Sequence, residues 1–275
     1  VLISGYAKAA KALEDHTLLV RAQRAVEFVR RHLTTDDGRL YRAVYTAEDV
    51  SVVRGSGLLA YSEDYASLVA GLIDLYESTL DETLLEWAEI LQMKMDELFW
   101  IGDSGYFVSE AVPGRKGIIE EQDGDLPSAS STALENVVRL AEILDSKNFK
   151  IQADKILSCA SERLSHHPHT LTKMIMANAR QESGGLQIVI AASSDDAMEP
   201  LLHAVHSSYI WNGSIARVGA GDSFLRRRVD LLKEYETDAH SQSVFICENR
   251  VCGLPLKEAA EIKEYIAVRT GKKTL

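Results

Sequence analysis

Four carboxylates stand directly ahead of amphipathic stripes: Glu63 and Asp64 in Glu63-Asp64-Tyr65-Ala66, and Asp123 and Asp125 in Asp123-Gly124-Asp125-Leu126-Pro127-Ser128. At a helix start a carboxylate caps exposed backbone N–H groups and complements the helix dipole. Held across one pocket, two such groups could instead serve as acid and base, or acid and nucleophile, at a glycosidic carbon. Ser128 and Ser130 are good N-cap residue types and also candidate substrate-binding hydroxyls. Tyr41, Tyr61, Trp100 and Tyr106 offer flat rings for the apolar face of a sugar, with core packing as the alternative for at least half of them.

Other reactive residue types carry less. His166, His167 and His169 surround Pro168, yet no second ligand cluster stands at metal spacing, so no metal and no other cofactor is expected. Cys247 and Cys252 are separated by four residues, unlike a thioredoxin redox pair, and read as buried thiols at a strand end. The string Gly219-Ala220-Gly221-Asp222-Ser223-Phe224 resembles the phosphate-binding signature of ribokinase-type sugar kinases. Such kinases need a large αβα domain upstream, and the residues that precede it here read as helices.

The elements that must position these residues are helical hairpins. Apolar residues recur at helical spacing in Leu2 to Leu13 and Ala22 to Leu33, in Tyr65 to Tyr76 and Leu84 to Phe99, and in Leu134 to Leu144 and Phe149 to Leu164, with a seventh helix opening at Leu171. Links within hairpins are short. Between hairpins run stretches of about 30 residues, 34–63 and 100–130, and both open alike, with Asp36-Asp37-Gly38-Arg39-Leu40-Tyr41 and Gly102-Asp103-Ser104-Gly105-Tyr106-Phe107. Alternating short and long links put the long loops on one rim of an α/α toroid, where a site would lie. From Gly184 the period changes to strands (Leu186 to Ala192, Ser214 to Val218 and Ser243 to Cys247) alternating with helices (Pro200 to Tyr209, Phe224 to Tyr235 and Leu256 to Val268), which predicts a small α/β layer on a largely parallel sheet. The expected fold is therefore mainly α, a partial α/α toroid over residues 1–183 followed by a small α/β region over 184–275.

The composition narrows the partners. A formal charge of −11 over 275 residues disfavours a broad grip on nucleic acid. No apolar run approaches the roughly 18 residues that span a bilayer, so no membrane partner is expected. Three cysteines fit a reducing, cytoplasmic compartment, with secretion of a longer parent protein left open. The sequence begins without Met and reads as a fragment; an unfinished helical barrel would leave an apolar flank, which predicts a homodimer.

Several ordered strings resemble a known family. Leu2-Ile3-Ser4-Gly5-Tyr6-Ala7-Lys8-Ala9, Glu63-Asp64-Tyr65-Ala66 through Leu72-Ile73-Asp74-Leu75-Tyr76-Glu77, Asp96-Glu97-Leu98-Phe99-Trp100, Asp123-Gly124 through Pro127-Ser128, and Val244-Phe245-Ile246-Cys247-Glu248-Asn249 with Cys252 are similar to the C-terminal part of the spermatogenesis-associated protein 20 family. The resemblance implies a thioredoxin-like domain upstream of an α/α toroid similar to six-hairpin glycosidases and N-acylglucosamine 2-epimerases. This chain holds no counterpart of that upstream domain's redox motif. Where relatives carry Asn-Ser, this chain has Ser130-Ser131, so one amide of the implied pocket is replaced. Two functions follow as expectations. One is a sugar-active hydrolase or epimerase-like enzyme binding a saccharide at the long-loop rim through Tyr61, Trp100, Tyr106, Ser128 and Ser130, with Glu63, Asp64, Asp123 or Asp125 in acid–base work. The other is a non-catalytic interaction module that docks a thioredoxin-like domain or protein partner.

Overall fold

The computed structural model describes residues 1–46, 52–53, 57–110, 117–120, 122–208, 210–219, 221, 223–233, 242–248 and 251–270. Seven helices form first: α1 (Leu2–Leu13), α2 (His16–His32), α3 (Ser62–Thr79), α4 (Glu82–Phe99), α5 (Ala129–Ile143), α6 (Lys147–His166) and α7 (Thr172–Ser183). Three hairpins turn by the same local device. A residue in the left-handed region (Glu14, Leu80 or Asp145) ends one helix or its last turn, and the next residue's side chain (Asp15, Asp81 or Ser146) accepts an N–H from the first turn of the following helix. Asp15 takes the N–H of Thr17 at 2.9 Å and Asp81 that of Thr83 at 3.0 Å.

These turns stack the hairpins in two layers. α1, α3, α5 and α7 pack successively against one another, and α2, α4 and α6 each lie behind their own hairpin partner. The inner helices run parallel. Asn136 at the middle of α5 donates to Ala66 O in the first half of α3 at 2.9 Å, while Arg139 further along α5 reaches Asp74 and Glu77 further along α3. Glu135–Lys173 and Glu142–Arg180 repeat the relation between α5 and α7. The starts of α3, α5 and α7 therefore share one rim, and the short turns share the other.

The seam between inner helices is charged. Asp74 is buried and bonds Arg139 at 2.8 Å, Lys8 at 2.9 Å and the Ser4 hydroxyl. Burial alone would raise its carboxyl, but the cations of Arg139 and Lys8 and the Ser4 bond overbalance that and hold it at about 2. Arg139 spans to Glu77 at 2.9 Å and is buried itself.

The remaining elements are β1 (Tyr45–Thr46) antiparallel to β2 (Val52–Val53), then β3 (Leu186–Ala191), α8 (Asp195–His206), β4 (Gly213–Val218), α9 (Phe224–Arg228), α10 (Asp230–Lys233), β5 (Ser243–Glu248), β6 (Val251–Cys252) and α11 (Ala259–Arg269). The molecule is mainly α with a small α/β part. The larger sheet has the order β4-β3-β5-β6, and it covers the short-turn rim. There Tyr76 Oη donates to Ile215 O at 3.0 Å, His206 Nε2 meets Glu77 O at 2.8 Å, and Leu225 N donates to a Glu82 carboxylate oxygen at 3.0 Å.

Three details depart from the sequence expectation. The sheet is mixed, because only β3/β4 is parallel and β5 enters on the other side of β3 in the opposite direction. Helix α8 starts at Asp195, fixed by the Ser194 cap on Ala197 N, and carries Pro200 inside it rather than at its head. The helix expected from Phe224 is broken at Val229, which is extended, and residues 234–235 lie outside those described. Ala220 and Asp222 of the kinase-like string also lie outside them.

Cys247 and Cys252 are not thiols: they form a disulfide. The reversal between β5 and β6 sets them directly opposite each other in the antiparallel ladder. A four-residue gap is wrong for a redox helix start but right for a hairpin. Cys159 is the free cysteine.

Candidate functional site

The long-loop rim is built by two loops with the same path. Tyr41 N donates to Leu33 O at 2.8 Å and Phe107 N to Phe99 O at 3.0 Å, so each chain doubles back onto the end of the helix it has just left. Gly38 and Gly105 sit at positive φ in these reversals. Both loops are then tied to the start of α3, the first by Ala60 N donating to Leu40 O at 2.9 Å and the second by Ser62 N donating to Val108 O at 3.0 Å. The repeated Asp-Gly-aromatic strings thus have one structural job.

At the start of α3, Asp64 accepts Tyr61 N at 2.8 Å and Arg42 Nη1 at 3.0 Å, and Glu63 accepts Arg42 Nη2 at 2.8 Å. The Arg42 guanidinium lies 4.4 Å from the centre of the Tyr61 ring. Burial raises the Asp64 carboxyl from its ordinary value against the opposing Tyr61 N–H bond and Arg42 charge. The three side chains of Tyr61, Glu63 and Asp64 are therefore joined around Arg42, a residue the helical pattern gave no reason to choose.

Asp123 joins two helix starts. One of its oxygens accepts Ser128 N at 3.0 Å and Ser128 Oγ at 3.1 Å, and the other accepts Lys173 N at 3.0 Å. Ser128 is buried and caps α5 through Ser131 N. Asp125 is exposed. All four carboxylates lie on the rim where α3, α5 and α7 begin. They form two separate groups, one on Arg42 and one between α5 and α7. Replacing Asp123 by Ala removes accepting groups from both helix starts and is expected to cost about 1–2 kcal/mol in chemical denaturation.

A cleft of about 650 Å³ opens on this rim between the ends of α4 and α6 and the starts of α5 and α7. Trp100, Ser128 and Ser130 line it, as do Glu120, Arg163 and His167. Glu63, Asp64, Tyr61, Asp123 and Asp125 do not. Tyr106 is buried beneath: its ring meets Trp100 edge-on at 5.0 Å and its hydroxyl bonds the Asp96 carboxylate. Glu120, Glu162 and Arg163 carry no sequence signal, because charged residues on an outer helix or in a loop read as solvated surface. Cys159 also faces the cleft, where burial and the Asp103 charge push its thiol up; it donates to Asp103 O at 3.3 Å. A thiol held protonated is a poor nucleophile. Among the described residues no three His, Cys, Asp or Glu side chains converge as a metal site, and no helix is long and apolar enough to cross a membrane.

Comparisons with known proteins bear on the whole chain. It is 33% identical over 97% of its length to spermatogenesis-associated protein 20 of Rattus norvegicus and 32% identical over the same share to that of Homo sapiens, spanning 35% of each. It is also 30% identical over 95% of its length to an uncharacterized protein of Caenorhabditis elegans, of which it spans 36%. No family model matches the chain. The similarity runs nearly from end to end through the helical hairpins and the mixed sheet alike, although the chain spans only about a third of the length of these curated relatives. Over nearly its whole length the chain is similar to members of the spermatogenesis-associated protein 20 family.

Proposed function

We propose that the rim cleft binds a saccharide and that the chain is a carbohydrate-related protein with the inner-and-outer helix plan of six-hairpin glycosidase and N-acylglucosamine 2-epimerase-like toroids. The observation that carries this reading is the lining itself. A part-exposed Trp100, propped edge-on by Tyr106, shares one cleft with the Ser128 and Ser130 residues and with the ionisable Glu120, Glu162 and Arg163. An aromatic ring buries the C–H face of a sugar while polar groups take its hydroxyls. The volume suits one or two sugar rings. Any acid–base step in this cleft falls to Glu120 and Glu162, since Glu63, Asp64 and Asp123 are committed to Arg42 and to helix starts.

The test is a panel of mono- and disaccharides read by thermal shift, because a ligand that binds only the folded state raises the midpoint. At least one sugar is expected to stabilise the wild type and to lose its effect in Trp100→Ala. In Asp123→Asn the midpoint is expected to fall while the sugar-induced increment persists. Saturating sugars without any increment would remove the proposal.

A second reading, docking of a thioredoxin-like domain or another protein on the same rim, draws on Leu58, Ile118 and Leu126, apolar residues exposed there. It predicts that Ile118→Asp and Leu126→Asp weaken capture of a thioredoxin-like partner without changing any sugar response.

A further inference from the structure

A second cleft, of about 870 Å³, lies between α5, α6 and α7 and the face of the sheet, away from the long-loop rim. Its floor follows from strand register. Ser214 on β4 pairs with Gln187 on β3, and Gln187 pairs with Cys247 on β5, so three side chains stand abreast on one face of the sheet. All three line the cleft.

Two of the lining groups lack the partners that burial demands. Ser214 is 1% exposed and its hydroxyl has no hydrogen-bond partner. Across the cleft, Gln181 Nε2 donates to Asp154 at 2.8 Å, which turns its Oε1 away from that partner; that oxygen is buried and unbonded. An orphaned buried hydroxyl or amide oxygen is destabilising until a donor reaches it. Both groups can accept from the same N–H-bearing molecule.

The charge of the lining selects that molecule. Glu142, Asp145, Asp154 and Asp230 face the cleft against the single lining cation Lys150. Arg180 neutralises Glu142 and Lys233 neutralises Asp230, so the acidic character of the lining rests on Asp154, which bonds the neutral Gln181 amide. An anion is disfavoured. A bare metal ion finds no three converging ligands among the described residues.

We propose that this second cleft binds a small organic cation rich in N–H donors, of the protonated-amine class that polyamines and amino sugars share. The ammonium sits against Asp154, and its other donors reach Ser214 Oγ and Gln181 Oε1. This site is independent of the saccharide reading of the rim cleft.

The test uses the full chain with spermidine, glucosamine and, as an uncharged control, octanediol of spermidine's length. At least one amine is expected to raise the thermal midpoint while octanediol does not, and the increment shrinks as salt is added. The amine with the larger increment identifies the source. Ser214→Ala removes the orphaned hydroxyl, so the ligand-free midpoint is expected to hold or rise while amine affinity falls by several-fold. Asp154→Asn is expected to weaken the amine by about tenfold, a loss of about 1.4 kcal/mol. Trp100→Ala leaves the spermidine response unchanged. The proposal is overturned if neither amine stabilises the chain, if octanediol matches them, if Ser214→Ala and Asp154→Asn bind as the wild type does, or if Trp100→Ala abolishes the spermidine response.

Discussion

Replacing Arg139 by Met is expected to destabilise the chain by about 3–5 kcal/mol, read from the midpoint of urea unfolding followed by circular dichroism. The guanidinium is buried and is the group that spans Asp74 and Glu77, at 2.8 and 2.9 Å. Methionine fills much the same space with no charge, so the penalty lies less in lost packing than in two carboxylates left buried among apolar neighbours. Lys8 is half in solvent and answers Asp74 alone. Glu77 already has one unbonded oxygen and would then have two.

The contrast that isolates this cause is the triple replacement Asp74→Leu, Glu77→Leu, Arg139→Met. Removing all three charges together abolishes the uncompensated burial and is expected to recover most of the loss, the usual behaviour of buried ion clusters. The single variant should also become acid-resistant in shape. In the wild type Asp74 titrates near 2 folded, below its unfolded 3.8, so its contribution is present above 3.8 and lost as pH falls through 2. Without Arg139, burial dominates, that loss disappears, and protonation on acidification relieves the variant instead. If Arg139→Met and the triple variant are equally unstable, the loss belongs to shape and not to charge.

The same residues show what could be read without coordinates. Helix order followed from apolar spacing, although α3 and α5 prove buried on nearly every side, and the short links between hairpin partners are closed by side chains that cap locally, Asp15, Asp81 and Ser146. Local rules suffice where the partner is two or three residues away. They fail where it is distant: Arg42 meets Glu63 and Asp64 across a long loop, Asp123 meets Lys173 N on another helix, and Glu120 joins Trp100 only once the second long loop folds back on itself. Direction within the sheet was likewise illegible. A buried apolar strand such as β5 reads the same whichever way it runs, and only its register shows that Cys247 faces Cys252. The carboxylates were conspicuous in sequence because capping and catalysis select the same residue types at the same positions, and Asp64 and Asp123 do bond the backbone N–H groups of helix starts.

Between pH 6.5 and 4 the contributions of Asp96 and His206 to wild-type stability are expected to offset each other, while relative to the wild type Asp96→Asn loses about 2–3 kcal/mol over that window and His206→Gln gains about as much. Two buried groups with opposite signs produce the balance. Burial, against bonds from Tyr106 and Gln92, raises Asp96 to about 6. Its folded value exceeds its unfolded 3.8, so the stability it contributes is fully present below 3.8 and lost as pH rises through 6. Burial and the Lys11 charge lower His206 to about 4, against the bond from its ring to Glu77 O. Its folded value lies below its unfolded 6.5, so its contribution is present above 6.5 and lost as pH falls through 4. Each difference of about two pH units is worth about 3 kcal/mol. Acidification across this window therefore gains at Asp96 what it loses at His206. Asn at 96 keeps an acceptor for Tyr106 but no longer titrates, leaving the His206 loss uncovered; Gln at 206 keeps a donor for Glu77 O and leaves the Asp96 gain uncovered. Urea midpoints at half-unit pH steps for the three proteins supply the check, and common titrations cancel in the differences. Parallel curves for wild type and either variant would show that the group replaced is already titrating as it does in the unfolded chain.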